Sequence, residues 1–226
     1  MALHFQTLKT RALTALAFVI VMLGGLLWTN WSFILLFTII HFGCWYEFIL
    51  LMKKIYGEKY LIKCFWGLAY ITLPLLLMLD LGVDDKLQYS AIIPCGILFS
   101  IWINDTMAYL VGSVIGKTPF SKISPKKTWE GTAGGAILCV TGVAVLSKYI
   151  TAAAVIDVKH WVAIAAICAI TGTVGDLLES KLKRSANVKD SGSIMPGHGG
   201  FLDRFDSLLI ATPFVWIYVE LFIRHH

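Results

Sequence analysis

Charge is scarce in this chain of 226 residues: Asp, Glu, Lys and Arg make up only 15% of it, while 58% is hydrophobic. Soluble domains usually stand near 45–50% apolar, so an ordinary water-soluble fold is excluded and a membrane protein is expected. Paired cysteine motifs are lacking too. Cys44, Cys64, Cys95, Cys139 and Cys168 are far apart, with no C-x-x-C pair and no His at ligand spacing. That removes a thiolate metal site and a disulfide framework, and leaves the cysteines as small apolar fillers. No Pro- or Ser-rich linker and no fixed-period repeat divides the chain, so a single domain over 1–226 is expected, with N-terminal helices over 1–100 and a second half over 101–226. The first apolar run follows Lys9 and Arg11 as in a signal peptide. It leads into Trp28-Thr-Asn-Trp31 instead of a small-residue cleavage site and reads as a retained span.

What is present is long apolar runs. A hydrocarbon core about 30 Å thick needs roughly 20 helical residues. Seven stretches qualify as candidates: 12–28, 31–52, 62–79, 89–116, 131–149, 161–181 and 201–222. The expected fold is therefore all-α, a polytopic transmembrane helical bundle of about seven spans. With a cytoplasmic N-terminus, all but four of the 19 basic residues fall on the cytoplasmic side, the exceptions being Lys86, Lys148, Lys159 and Arg224. The net charge of +5 sits in short clusters, which suit anionic partners. In a lipid-embedded chain these are headgroups or phosphorylated small molecules, not nucleic acid. The two long polar stretches, 116–131 and 179–200, share that face.

The richest stretch for chemistry runs from Gly175 to Asp206. Asp203 and Asp206, three apart, share one face of a helix, and Asp176 and Glu179 repeat the spacing at the end of the preceding span. A charged group at membrane depth costs on the order of 3 kcal/mol unless it is paired or coordinated. A carboxylate set without His or Cys suits a hard cation such as Mg²⁺, and the ordinary alternative is pairing with Lys183, Arg184 and Arg204. Pro196-Gly197-His198-Gly199-Gly200 leads straight into the last helix. Its backbone N–H groups and the helix N-terminus form an anion cradle, although a Gly-rich turn is more often only a turn. Lys126 and Lys127, with hydroxyls at Ser124 and Thr128, form a compact polyphosphate patch whose bland reading is a juxtamembrane basic loop. Asp105 interrupts an apolar run and is a site candidate for that reason; an interhelical hydrogen bond is the competing reading. Glu47 also lies in an apolar run, but Lys53 and Lys54 are close enough for it to reach the interface, and it is assigned no site role.

Ser180-Lys-Leu-Lys-Arg184, Lys189-Asp190-Ser-Gly192 and Pro196-Gly-His-Gly-Gly-Phe-Leu-Asp-Arg-Phe-Asp206 together resemble the signature of phosphatidate cytidylyltransferases nearly position for position. The block Asn104-Asp105, Ala108-Tyr109, Gly112, Gly116-Lys117 and Ser124-Pro-Lys-Lys-Thr-Trp-Glu-Gly131 resembles the same family in the same order. The resemblance covers residues 104–213; the first hundred match only as hydrophobic helices. It implies an integral membrane enzyme that condenses CTP with phosphatidic acid to CDP-diacylglycerol and pyrophosphate at the cytoplasmic face, which for a bacterial source means the inner or plasma membrane. It also implies Mg²⁺ with a second cation, divalent or K⁺, and a homodimer. The expected metal ligands are Asp176, Asp203 and Asp206, with Lys183, Arg184, Lys189 and Asp190 beside them in the catalytic group. Substrate contacts are expected from Asp105, Ser124, Lys126, Lys127, Thr128, Ser180, Gly197, His198, Gly199, Gly200 and Arg204. The rival readings are a CTP-dependent polyprenol kinase, which releases CDP, a cytidylyltransferase for another lipid phosphate, and a transporter, whose polar groups would gather near the bilayer midplane.

Overall fold

A computed structural model describes residues 5–84, 88–121, 123–194 and 199–224, with side chains from residue 12 onward. The elements are α1 (Phe5–Leu27), α2 (Asn30–Tyr56), α3 (Tyr60–Cys64), α4 (Leu73–Leu81), α5 (Ile92–Ile115), α6 (Trp129–Tyr149), α7 (Val158–Ser185) and α8 (Leu202–Val219). Among the described residues there is no strand, only two isolated bridges, Val83 with Tyr89 and Pro119 with Thr128. The all-α expectation is met. Five helical stretches, 30–64, 92–115, 129–149, 158–185 and 202–224, are long and apolar enough to cross a bilayer. The other two of the seven expected spans, 12–27 and 68–81, are shorter apolar helices.

Local chemistry sets the boundaries. Thr29 and Ser32 form a capping box at the start of α2, with Ser32 N–H donating to Thr29 Oγ1 at 3.1 Å and Thr29 N–H to Ser32 Oγ at 2.9 Å. Gly57, at φ 54°, ends the helix in a conformation that disfavours residues with a Cβ. Thr128 caps α6 by accepting from Gly131 N–H at 3.1 Å. The expected third span is broken between α3 and α4 by a π-helical turn, Leu68–Thr72. Pro74 explains it. Having no N–H, Pro74 cannot bond back to the Tyr70 carbonyl, and Leu73 N–H bonds to Leu68 C=O, five residues back.

Helices α5, α6, α7 and α8 pack in succession, and α8 also lies against α4 and α2, with α1 along α2. Phe33, Phe37, Ile97, Ile164, Phe205 and Leu209 fill the interior. The outer face is apolar as well: Leu16, Ile20, Leu35, Ile137, Ile170 and Leu221 are all more than half exposed. In water that would be a large penalty, whereas in lipid it is the expected surface of a bundle. At one end the α5–α6 connection reaches α7 through Lys127 and Asp176, and the α2 carboxylate of Glu47 bonds to Ser191 and to the start of α8. At the other end Arg224 donates to Asp80 Oδ2 (2.6 Å), Asp80 O (2.7 Å) and Val83 O (2.8 Å), and the Trp216 indole donates to Asp80 Oδ2 (2.7 Å).

Candidate active site

The basic loop between α5 and α6 is tightly folded. Phe120 N–H donates to Lys127 O (2.7 Å), Lys127 N–H to Ser124 O (3.1 Å) and Trp129 N–H to Thr118 O (3.0 Å). Glu130, in the first turn of α6, accepts from Lys117 N–H (3.2 Å) and from Thr118 N–H (3.1 Å) and Oγ1–H (2.7 Å). So held, the loop presents Ser124, Lys126, Lys127 and Thr128 to a cavity of about 470 Å³. Asn104, Asp105 and Tyr109 of α5 and Thr173 and Asp176 of α7 line it as well. Lys127 forms an ion pair with Asp176, which joins the cavity to the carboxylates beyond. Asn104 Nδ2 reaches Asp105 Oδ1 at 3.5 Å, while Asn104 Oδ1 is buried with no hydrogen-bond partner.

Asp176, Glu179 and Asp206 form one group, a ligand oxygen of each lying within 4.8 Å of the others. Close approach of α7 and α8 makes this possible: a Cβ on Gly175 would stand 2.5 Å from the Asp206 carbonyl oxygen, so only glycine lets the helices meet there. Glu179 is fully buried and neither carboxylate oxygen has a donor in hydrogen-bond alignment, although the Lys183 ammonium stands 2.5 Å from Oε2. Three carboxylates with unfilled lone pairs and all-oxygen chemistry fit a hard divalent ion.

Asp203, expected in the same set, has its oxygens engaged elsewhere. Oδ1 takes Lys183 Nζ at 2.5 Å; Oδ2 takes Ser191 N–H (2.9 Å), Ser191 Oγ–H (2.8 Å) and Gly200 N–H (2.8 Å). Glu47, which the sequence reading left without a role, is buried beside it. Its Oε1 accepts from Phe201 N–H (2.9 Å) and its Oε2 from Leu202 N–H (3.0 Å), with the Ser191 hydroxyl 2.7 Å away. A carboxylate from α2 therefore caps the N-terminus of α8, where orphan N–H groups and the helix dipole both favour negative charge. Gly200 packs against that carboxylate so closely that any Cβ would overlap it. The signal for Glu47 was visible as an ionisable residue inside an apolar run; its partners, more than 140 positions away, were not.

The remaining expected residues scatter more widely. Ser180 Oγ lies 3.3 Å from Asp176 Oδ1, at the carboxylate group. Arg184 is exposed and donates to Val188 O at 3.0 Å, folding the loop back on the end of α7. Lys189, Asp190 and Arg204 are exposed at this end of the bundle. Gly199, at φ 82°, takes the left-handed turn that admits Gly200 to Asp203. Gly197 and His198 lie outside the described residues.

These elements bring a carboxylate group and a lysine-lined cavity together in one helical bundle. The sequence model of the cytidylyltransferase family matches residues 65–222, and the chain belongs to that family. Among curated relatives, the phosphatidate cytidylyltransferase of Bacillus subtilis is 43% identical over 123 residues, 54% of this chain and 45% of its own length. That of Brucella melitensis is 34% identical over 158 residues, 69% of this chain and 56% of its own. Phosphatidate cytidylyltransferase 4, chloroplastic, of Arabidopsis thaliana is 43% identical over 116 residues, 51% of this chain and 29% of its own. The chain thus spans between about a third and somewhat over half of these relatives' length.

Proposed function

We propose that this chain carries a membrane nucleotidyltransferase site that joins CTP to phosphatidic acid, forming CDP-diacylglycerol and pyrophosphate for phospholipid biosynthesis. The observation that carries the reading is the junction at Asp176: one of its partners, Lys127, lines a cation-rich cavity, and its neighbours Glu179 and Asp206 complete a carboxylate group. The names of the relatives add the substrates. In the reaction an oxygen of the lipid phosphate attacks the α-phosphorus of CTP, the bond to the β-phosphate oxygen breaks, and pyrophosphate leaves with its charge. The attacking monoester is already largely ionised at neutral pH, so the protein's task is alignment and charge neutralisation.

Lys126 and Lys127 would hold the triphosphate, with Ser124 and Thr128 donating hydroxyl hydrogen bonds at the same wall. Asp176, Glu179 and Asp206 would hold Mg²⁺, which supplies neutralisation of the phosphate oxygens as charge shifts to pyrophosphate. Lys183, already paired with Glu179 and Asp203, keeps the surplus of negative charge in check. We place this end of the bundle at the cytoplasmic face because the basic loops gather there, so that CTP arrives from water while both lipids keep their acyl chains in the bilayer. Purified protein in detergent with CTP, phosphatidic acid and Mg²⁺ is expected to release pyrophosphate and form CDP-diacylglycerol. Release of CDP instead would make it a kinase, and no turnover above a protein-free control would refute both.

A further inference from the structure

Of the carboxylate group only Asp176 lines the cavity; Glu179 and Asp206 are not among its walls. The π-helical turn Leu68–Thr72 is fastened to α2: Thr72 Oγ1 accepts from the Trp45 indole N–H at 2.9 Å and lies 3.0 Å from His41 Nε2, and the Tyr70 ring meets Phe48 at a centroid distance of 5.9 Å. Such turns sacrifice regular hydrogen bonding and are found disproportionately at functional sites. This one carries Tyr70, whose hydroxyl is buried and has no hydrogen-bond partner. The hydroxyl lies within electrostatic reach of Asp206, Glu179 and Asp176, the same three carboxylates, yet bonds to none of them. Tyr70 is also absent from the walls of the Lys126–Lys127 cavity.

A buried hydroxyl without an acceptor is costly, and native proteins rarely keep one without a use, even on a side chain that is itself only partly buried. Here the donor comes from an apolar turn packed against α2 and α8, apart from the cavity of the cation-rich loop, near a group of oxygens suited to gather phosphate through a metal. We propose that the Tyr70 hydroxyl is a substrate-binding group that donates a hydrogen bond to the phosphate of the lipid substrate, complementing the triphosphate contacts of Lys126 and Lys127. The inference rests on the proposed function for the identity of its ligand. It assigns the two phosphates to two walls: CTP to the α5–α6 loop, the lipid phosphate to the turn before α4.

Tyr70→Phe tests it, since the substitution removes one oxygen and keeps the ring against Phe48. The thermal midpoint of the ligand-free variant in detergent is expected to equal or exceed that of the parent protein, because no intramolecular hydrogen bond is lost. Its kcat/KM for phosphatidic acid is expected to fall about ten- to a hundredfold, as for loss of a hydrogen bond to a charged group, with the KM for CTP unchanged. The stabilisation given by a short-chain phosphatidic acid with Mg²⁺ and no CTP should shrink in parallel. An unchanged kcat/KM for the lipid, or a lower ligand-free midpoint with equal losses toward both substrates, overturns the assignment. If the parent protein turns over neither substrate, the functional reading fails by itself. The stabilisation by phosphatidic acid then decides on Tyr70: a smaller shift in the variant keeps the contact, and an equal shift removes it.

Discussion

Asp203 and Asp206 sit three residues apart on one helix and do different things. Asp203 is saturated by Lys183, Ser191 and Gly200, while Asp206 faces Asp176 and Glu179. Asp206→Asn is therefore expected to abolish CDP-lipid formation and leave the thermal midpoint within a degree or two. Asp203→Asn should lower both: the amide oxygen can keep the Ser191 and Gly200 N–H bonds that Oδ2 accepts, but the N–H₂ then faces the Lys183 ammonium, donor against donor, and the ion pair is lost. Glu47→Gln belongs with Asp203. Replacing one oxygen by an N–H₂ facing a backbone donor costs about 1.5–3 kcal/mol of stability, measurable as an earlier unfolding midpoint in detergent. At this scale the sequence displayed the carboxylates and their spacing. It could not rank them, since spacing of three puts Asp203 and Asp206 on the same face whichever tertiary partners each one meets. The Lys183 ammonium and the Ser191 and Gly200 donors, folded back from the preceding loop, separate the two roles.

Among the elements, the α5–α6 loop shows how a polar connection is given a fixed shape. Glu130 ties Lys117 and Thr118 to the first turn of α6, and the bridge between Pro119 and Thr128 closes the loop behind it. Glu130→Ala should loosen the wall that bears Lys126 and Lys127 without touching the carboxylates, so the expected outcome is a several-fold higher KM for CTP at little-changed kcat. Gly175→Ala acts differently. It thrusts a methyl into the α8 backbone at Asp206, and overpacking of this kind costs about 1–3 kcal/mol and moves a ligand oxygen, so turnover should be lost along with stability. Helices long enough to cross the bilayer were legible from their apolar runs. The break at Leu68–Thr72 was not, because a π-helical turn leaves the apolar composition intact and depends on which carbonyl Pro74 deprives of a donor.

Over the whole molecule, an apolar exterior encloses a polar end built from three separated stretches: the middle of the chain, its last third, and Glu47 near the start. The proposed orientation rests on the basic loops, and it has a direct check. With the native cysteines replaced, a cysteine at Lys189 should react with a membrane-impermeant maleimide only when the cytoplasmic face is opened; labelling in sealed cells would invert the proposed topology. The distribution of charge made one end of the bundle legible as the candidate site. The dependence of that end on the N-terminal helices was hidden: the motifs legible in the sequence begin at Asn104, and although the family match reaches back to residue 65, it leaves out Glu47.

Helix α8 is held at both ends by the N-terminal half, by Glu47 at its start and by Asp80 through Trp216 and Arg224 near its finish. The stretch matched by the family, 65–222, includes Asp80 and begins after Glu47. A fragment cut at that boundary would keep one mooring and lose the other, leaving the helix that bears Asp206 free to swing at the very end that carries the candidate site. The portable unit of this site is accordingly larger than its recognisable sequence, and a transplant of the site into another scaffold has to bring α2 with it.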